Sequence, residues 1–94
     1  MREIIYKNAF KKQYKLMMKR GNDISKLDKI IILLSQDLPI PPKNKDHQLQ
    51  GVLSDCRELH IEPDWLLVYK KLDSTENKNG LLLLETTGTH ADLF

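Results

Sequence analysis

The chain has 94 residues, of which 30% are charged and 40% hydrophobic, and its formal net charge is +2. This length and balance predict one folded domain over residues 1–94, and they exclude a disordered chain and two independent domains. No stretch is long and apolar enough to predict a membrane span. Cys56 is the single cysteine, which excludes an intramolecular disulfide and a thiolate metal cluster and favours a reducing cytoplasm.

The charge is unevenly distributed along the chain. Residues 1–50 carry eleven Lys or Arg against five Asp or Glu, whereas residues 51–94 carry four against eight. A basic half of this kind attracts polyanions such as RNA, and the attraction weakens with added salt. A solvated, lysine-rich helix face explains the same charge equally well.

The N-terminal part predicts a strand followed by a helix. Residues 3–6 are β-branched and aromatic, which is typical of a short strand. The next apolar residues recur with helical spacing and form one predicted buried stripe, made of Phe10, Tyr14, Met17 and Met18. Gly21 should end this helix.

A second helix is predicted from a cap at Asn22 or Asp23 to a point near Leu38. Its apolar residues lie on one face and are Ile24, Leu27, Ile31 and Leu34. The prolines that follow disfavour further helix. Because the turn between the two helices is very short, we expect an antiparallel helix hairpin.

The C-terminal half predicts strands. Residues 55–61 alternate in polarity, and residues 65–72 and 81–85 are strongly apolar runs. A polar hairpin connection over residues 72–80 separates the two runs. With about four strands after two helices, the order is β-α-α-β-β-β-β, which predicts an α+β fold with the helix hairpin packed on one face of a mainly antiparallel sheet.

The chain has three histidines, His47, His60 and His90, and all of them lie outside the helical part. Sequential antiparallel strands usually neighbour each other, so His60 should lie close to Asp64 and Trp65 at the following turn. His47 and His90 can approach the same end of the sheet. An imidazole titrates near neutral pH, which suits proton transfer.

Other interpretations of these residues remain open. A single histidine is more often a hydrogen-bonded surface residue than a catalyst. His60 and Asp64, with His47 or His90, have side chains of the types that bind zinc, although their spacing matches no compact zinc signature. Cys56 lies within a predicted strand and carries no local signature of a nucleophile.

Three sequence blocks carry a more specific resemblance. They are DHQLQG, CRELHIEPDWLLVYK and TGTHADLF, in that order, within residues 46–94. Together they resemble the YafQ family of bacterial toxins, within the wider RelE and ParE superfamily, whose members are the toxins of type II toxin–antitoxin pairs. The order of the predicted elements supports the resemblance over the rest of the chain, and it implies a RelE-like fold.

The resemblance implies an endoribonuclease that cuts messenger RNA in the ribosomal A site without a metal or cofactor. The implied catalytic residues are His47, His60, Asp64 and His90. We expect His90 to act as the general acid and His60, oriented by Asp64, to act on the base side. His47 is expected to contact the phosphate or to share in proton transfer.

The resemblance also implies partners, namely a cognate antitoxin that holds the toxin inactive, the ribosome and its RNA, and the messenger RNA. Trp65 and Phe94 are expected to stack on or wedge between bases of the bound strand. The basic helix would then face ribosomal RNA.

Thr86 departs from the family pattern. The family commonly has an arginine four residues before the tail histidine, where it would neutralise the scissile phosphate. Arg57 and Lys70 are the candidates to supply this charge, although the alternation of residues 55–61 puts Arg57 on the face opposite His60.

Two alternative functions follow from the same residues. In the first, the scaffold is retained for binding antitoxin or RNA while its nuclease activity is weakened or lost, an alternative that the missing arginine allows. The other alternative is a toxin aimed at gyrase, and the three histidines argue against it.

Overall fold

A five-stranded sheet with two helices packed against one face forms the framework of the protein. The computed structural model describes residues 1–73 and 79–94. The strands are β1 (Glu3–Tyr6), β2 (His47–Gln48), β3 (Arg57–Glu62), β4 (Trp65–Leu72) and β5 (Leu81–Gly88). The helices are α1 (Asn8–Lys19), α2 (Ile24–Ser35) and a short α3 (His90–Leu93). The predicted α+β order is therefore confirmed, and α3 is an addition to it.

The strand order across the sheet is β1-β5-β4-β3-β2. β1 runs parallel to β5, whereas the other neighbours are antiparallel, so the sheet is mainly antiparallel as predicted. β2 is very short and pairs only with Arg57 and Glu58 of β3. Within the described residues, the rest of β3 therefore has no strand beside it at this edge.

The core lies between the helices and one face of the sheet. The predicted stripe of α1 is largely correct, because Phe10 and Met17 are each 1% exposed and Tyr14 packs against the core. Met18 is 53% exposed, so its assignment to the stripe is wrong. The predicted apolar face of α2 is confirmed, with Leu27, Ile31 and Leu34 buried.

The ends of the first two helices follow from their capping residues. Gly21, with φ of +85°, follows α1, and its amide donates to the carbonyl of Met18, which confirms the predicted stop. The Asp23 side chain accepts from the amide of Ser25 and caps α2. α2 ends at Ser35 rather than near Leu38.

The early end of α2 has a local cause. Asp37 adopts a left-handed conformation with φ of 55°. Its amide then donates to the carbonyl of Leu34, and the amide of Leu38 donates to the carbonyl of Leu33. These are the two hydrogen bonds of a Schellman motif, which closes a helix before any proline is reached.

Two further expectations concern the connections. The predicted hairpin connection over residues 72–80 falls largely on residues 74–78, which lie outside the described residues. Gly80, the last residue of the predicted connection, has φ of +77°, a conformation that favours glycine. No helix in the described ranges has the length and apolar character needed to cross a bilayer.

Candidate active site

The three histidines converge at one end of the sheet, although they come from β2, β3 and the start of α3. The ring centroids of His47 and His60 are 6.5 Å apart, and those of His60 and His90 are 5.9 Å apart. His47 pairs with Glu58, two residues before His60, so both histidines lie on the sheet face opposite the helices. His60 is thus the middle member of the histidine cluster.

The tail that carries His90 is held in place by hydrogen bonds. Thr89 Oγ1 accepts from the amide of Asp92 at 3.2 Å, and the Thr89 amide donates to Asp92 Oδ2 at 2.9 Å. Arg20, just after α1, donates two hydrogen bonds to the Asp92 carboxylate, at 2.7 and 3.1 Å. The hydrogen bonds from Arg20 and from the Thr89 amide hold the pKa of Asp92 well below its usual range. The end of α1 therefore fixes the position of His90.

Asp64 pairs with His90 and not with His60. Its Oδ1 accepts from the backbone amide of His90 at 3.0 Å and from the Nδ1 of the same residue at 2.6 Å. These bonds, the backbone one first, lower the pKa of the Asp64 carboxyl. The prediction that Asp64 orients His60 is wrong, because the N-terminus of α3 offers this carboxylate two donors at once.

His60 instead has a neutral partner. Its Nδ1 lies 3.2 Å from the carbonyl oxygen of Pro63, and the Nδ1 of His47 lies 2.7 Å from the carbonyl oxygen of Lys45. A carbonyl oxygen only accepts, so Nδ1 carries the hydrogen in both rings. In a neutral His60 ring, Nε2 is then the atom that can accept a proton.

Glu58 is a site residue to which the sequence assigned no role. It is 6% exposed, and its Oε1 lies 3.7 Å from the Nε2 of His47. The alternation of β3 that puts His60 on the polar face also puts Glu58 there. This contact is an ion pair when the His47 ring is protonated, and it adds a buried carboxylate to the residues around the histidine cluster.

Trp65 belongs to the core. It is 1% exposed, and its Nε1 donates to Thr87 Oγ1 at 3.0 Å, which in turn donates to the carbonyl of Leu66 at 2.6 Å. The prediction that Trp65 stacks on RNA bases is wrong, because its ring faces the helices and has no free surface. Phe94 is 67% exposed, so its predicted contact with a base stays a prediction.

The two candidate replacements for the missing arginine are both engaged elsewhere. Arg57 pairs with Asp46 at 3.3 Å and lies opposite Tyr69, on the face that carries the helices. Its side chain is 42% exposed, so its role in RNA binding stays a prediction, although it does not face the histidines. Lys70 lies on the histidine face but pairs with Asp55 at 3.1 Å, so its role in RNA binding stays a prediction.

Thr86 faces the same side of the sheet as the histidines. The strand register pairs Thr86 with Val68, Val68 with Glu58 and Glu58 with His47. These residues form one row across the sheet on one face. A longer side chain at position 86 would therefore extend over the surface beside the histidine cluster.

Two alternative chemistries find no support in the geometry. Within residues 1–73 and 79–94, no group of three or more His, Cys, Asp or Glu side chains is arranged to hold a metal ion. Cys56 is 4% exposed, and burial followed by its hydrogen bond to Asp55 raises the pKa of its thiol. The thiolate that a cysteine nucleophile requires is therefore disfavoured.

Comparisons with known proteins agree over the whole chain. Residues 2–94 match the family model described as bacterial toxin of type II toxin–antitoxin system, YafQ. The mRNA interferase toxin YafQ of Escherichia coli K12 is 44% identical over 94 residues, which cover 99% of this chain and 96% of the relative.

Solved structures give the same result. The crystal structure of YafQ from E. coli BL21(DE3) has a TM-score of 0.88 and 43% identity, covering 100% of this chain and 99% of the other. The YafQ chain matched in the crystal structure of the E. coli DinJ–YafQ complex has a TM-score of 0.86 and 44% identity, covering 100% of this chain and 99% of the other.

Proposed function

Because the chain belongs to the YafQ family of bacterial toxins of type II toxin–antitoxin systems, we propose that it is an endoribonuclease that cuts messenger RNA on the ribosome, in the cytoplasm. The observation that carries the chemical part of this proposal is the pairing of two neighbouring histidines, 5.9 Å apart, with unlike partners. His90 bonds a carboxylate, whereas His60 bonds a neutral carbonyl.

His60 is the general base. The carbonyl acceptor at Nδ1 fixes the tautomer, so Nε2 of the neutral ring is available to accept a proton. It removes the proton of a ribose 2′-hydroxyl, and the 2′-oxygen attacks the adjacent phosphorus. The bond from phosphorus to the 5′-oxygen of the next nucleotide breaks, leaving a 2′,3′-cyclic phosphate.

His90 is the general acid. The Asp64 carboxylate, 2.6 Å from Nδ1, stabilises the imidazolium and leaves Nε2–H to protonate the departing 5′-oxygen. After the cut, His60 is protonated and His90 is neutral, and exchange with water restores both. His47, supported by Glu58, contacts a phosphate oxygen, and the exposed Phe94 ring stacks on a base next to the cut.

The partner that restrains this activity is a cognate antitoxin. The E. coli complex that this chain resembles contains YafQ bound to DinJ, and we infer that an antitoxin of this kind binds the present chain. The chain's messenger RNA substrate and the ribosome complete the set of partners.

A message with one modified nucleotide tests this function directly. We expect the purified protein to cut a message on programmed ribosomes at a mapped position and to leave the same RNA intact without ribosomes. Replacing the nucleotide on the 5′ side of that cut by its 2′-deoxy form should abolish the cut, because the nucleophile is gone. Cutting at the 2′-deoxy position, or equal cutting of free RNA, would contradict the proposal.

Thr86 leads to a second prediction. Thr86→Arg should raise cleavage on ribosomes by about 10²-fold, because a cation would then face the scissile phosphate. Initial rates at saturating ribosome concentration measure the change. Ile32→Arg, at a half-exposed site on α2, adds the same charge away from the histidines and should leave the rate unchanged. No gain with Thr86→Arg, or an equal gain with Ile32→Arg, would count against this role for position 86.

A further inference from the structure

A basic cleft of about 750 Å³ lies along the free edge of β3, next to the histidine cluster. One wall is α2, and the other is a 3₁₀ turn over Pro42–Asn44 with the residue after it. His60 and Pro63 are also among its lining residues. The volume is in the range of sites that bind small ligands or parts of larger ones.

Four lysines line this basic cleft, namely Lys26, Lys29, Lys43 and Lys45. The carboxylate among the lining residues is Glu62, which pairs with Lys26 at 3.3 Å. The other three lysines have no ion pair with any described residue. Lys29 interacts electrostatically with Asp23, which lies outside the lining. Within the lining, four lysines stand against one carboxylate, and this excess of positive charge favours an anion with several negative groups.

The wall of the basic cleft is joined to the histidine cluster by hydrogen bonds. Asn44, 5% exposed, donates from Nδ2 to the backbone carbonyl of His60 at 2.7 Å. The next residue, Lys45, accepts from the Nδ1 of His47 through its own carbonyl. These two hydrogen bonds hold this wall of the cleft directly beside His47 and His60.

We propose that the basic cleft binds phosphates of the RNA strand on the 5′ side of the cut. This assignment rests on the proposed function. The base, His60, lies beside the 2′-hydroxyl, which belongs to the nucleotide on the 5′ side, whereas the acid, His90, lies beside the 5′-oxygen of the nucleotide on the 3′ side. His60 lines the cleft and His90 does not. The part of the RNA strand that lies in the cleft is therefore the part on the 5′ side of the cut.

The first experiment measures binding and needs no cleavage. A fluorescent, fully 2′-O-methylated RNA of nine nucleotides is titrated at several salt concentrations. Lys29→Ala with Lys43→Ala should reduce the slope of log affinity against log salt by about 1.4, at roughly 0.7 per lost phosphate contact on a single strand. The matched pair Lys7→Ala with Lys71→Ala, outside both α1 and the cleft lining, should keep the wild-type slope. An unchanged slope for the cleft pair, or equal reductions for both pairs, would overturn the proposal.

The second experiment determines the side of the cut. Uncharged methylphosphonate linkages are placed singly in a ribosome-bound message, at the three positions 5′ or 3′ of the mapped cut. Those on the 5′ side should slow wild-type cleavage several-fold and should not slow the Lys29/Lys43 double variant further. Sensitivity confined to the 3′ side would overturn the assignment, whereas a protein that cuts no message at all would refute the proposed function and leave the binding result standing.

Phosphates of ribosomal RNA have the same chemistry and are the competing occupant. Binding to ribosomes without message therefore forms a third measurement. If the Lys29/Lys43 double variant loses affinity for empty ribosomes but keeps the salt slope with the nine-nucleotide RNA, ribosomal RNA occupies the cleft and the proposal is wrong. Loss with the short RNA and unchanged binding to empty ribosomes supports it.

Discussion

His90→Gln should lower the rate of message cleavage by about 10²- to 10⁴-fold, the usual contribution of a positioned acid or base. Glutamine is polar and can still donate a hydrogen bond to Asp64, which accepts from the His90 ring at 2.6 Å. The glutamine amide is too weak an acid to transfer a proton to the departing 5′-oxygen. Initial rates on programmed ribosomes, with equal antitoxin binding and unfolding temperature as evidence of an intact fold, measure the loss.

A modified message separates the acid from the base. A 5′-bridging sulfur at the cut leaves as a thiolate, which needs no protonation, so this message should restore most of the rate of His90→Gln. The same message should not rescue His60→Gln, because removal of the 2′-proton is still required. Rescue of the His60 variant instead would reverse the two roles and would also move the basic cleft to the 3′ side of the cut.

Trp65→Ala should lower the free energy of unfolding by about 3 to 5 kcal/mol, the usual cost of removing a large aromatic side chain from a core. Trp65 is 1% exposed and its Nε1 donates to Thr87, so the variant loses packing and a buried hydrogen bond. For a domain of this size, each kcal/mol lowers the unfolding temperature by roughly 4 to 8 °C. Thermal and urea denaturation followed by circular dichroism measure the change.

Phe94→Ala is the matched control for this prediction. The ring of Phe94 is 67% exposed, so its removal should leave the unfolding temperature within about 2 °C and should weaken RNA binding through lost stacking. Trp65→Phe retains most of the apolar volume and should fall between the wild type and Trp65→Ala. A normal unfolding temperature in Trp65→Ala, combined with lost RNA binding, would instead assign Trp65 to the RNA surface.

The fold was largely predictable because its elements depend on local patterns. The helical spacing of Phe10, Met17, Leu27 and Leu34 identified the faces that now form the core. The end of α2 was missed because Asp37 adopts a left-handed conformation that glycine or asparagine more commonly signals. The final helix was missed although Thr89 and Asp92 have the spacing of a capping box.

The site was predictable in its residues but not in their pairing. The family resemblance identified the three histidines and Asp64, and the sheet brings them together. Whether the Asp64 carboxylate bonds His60 or His90 depends on where the C-terminal tail lies. The position of the tail in turn depends on the ion pair of Arg20 with Asp92, two residues that are 72 positions apart in sequence. The burial of Trp65 is likewise set by the phase of β4 relative to the helices, which a motif match does not specify.

The parallel pairing of β1 with β5 bears on how the chain is made. Within the described residues, β1 pairs with no other strand, so it stays unpaired until β5, which lies far later in the sequence, has been synthesised. Contacts between such distant segments form late in folding. His90 follows β5, so the histidine cluster can assemble only after nearly all of the described residues have been synthesised. A chain that has been synthesised only as far as residue 89 therefore lacks the general acid of the proposed nuclease.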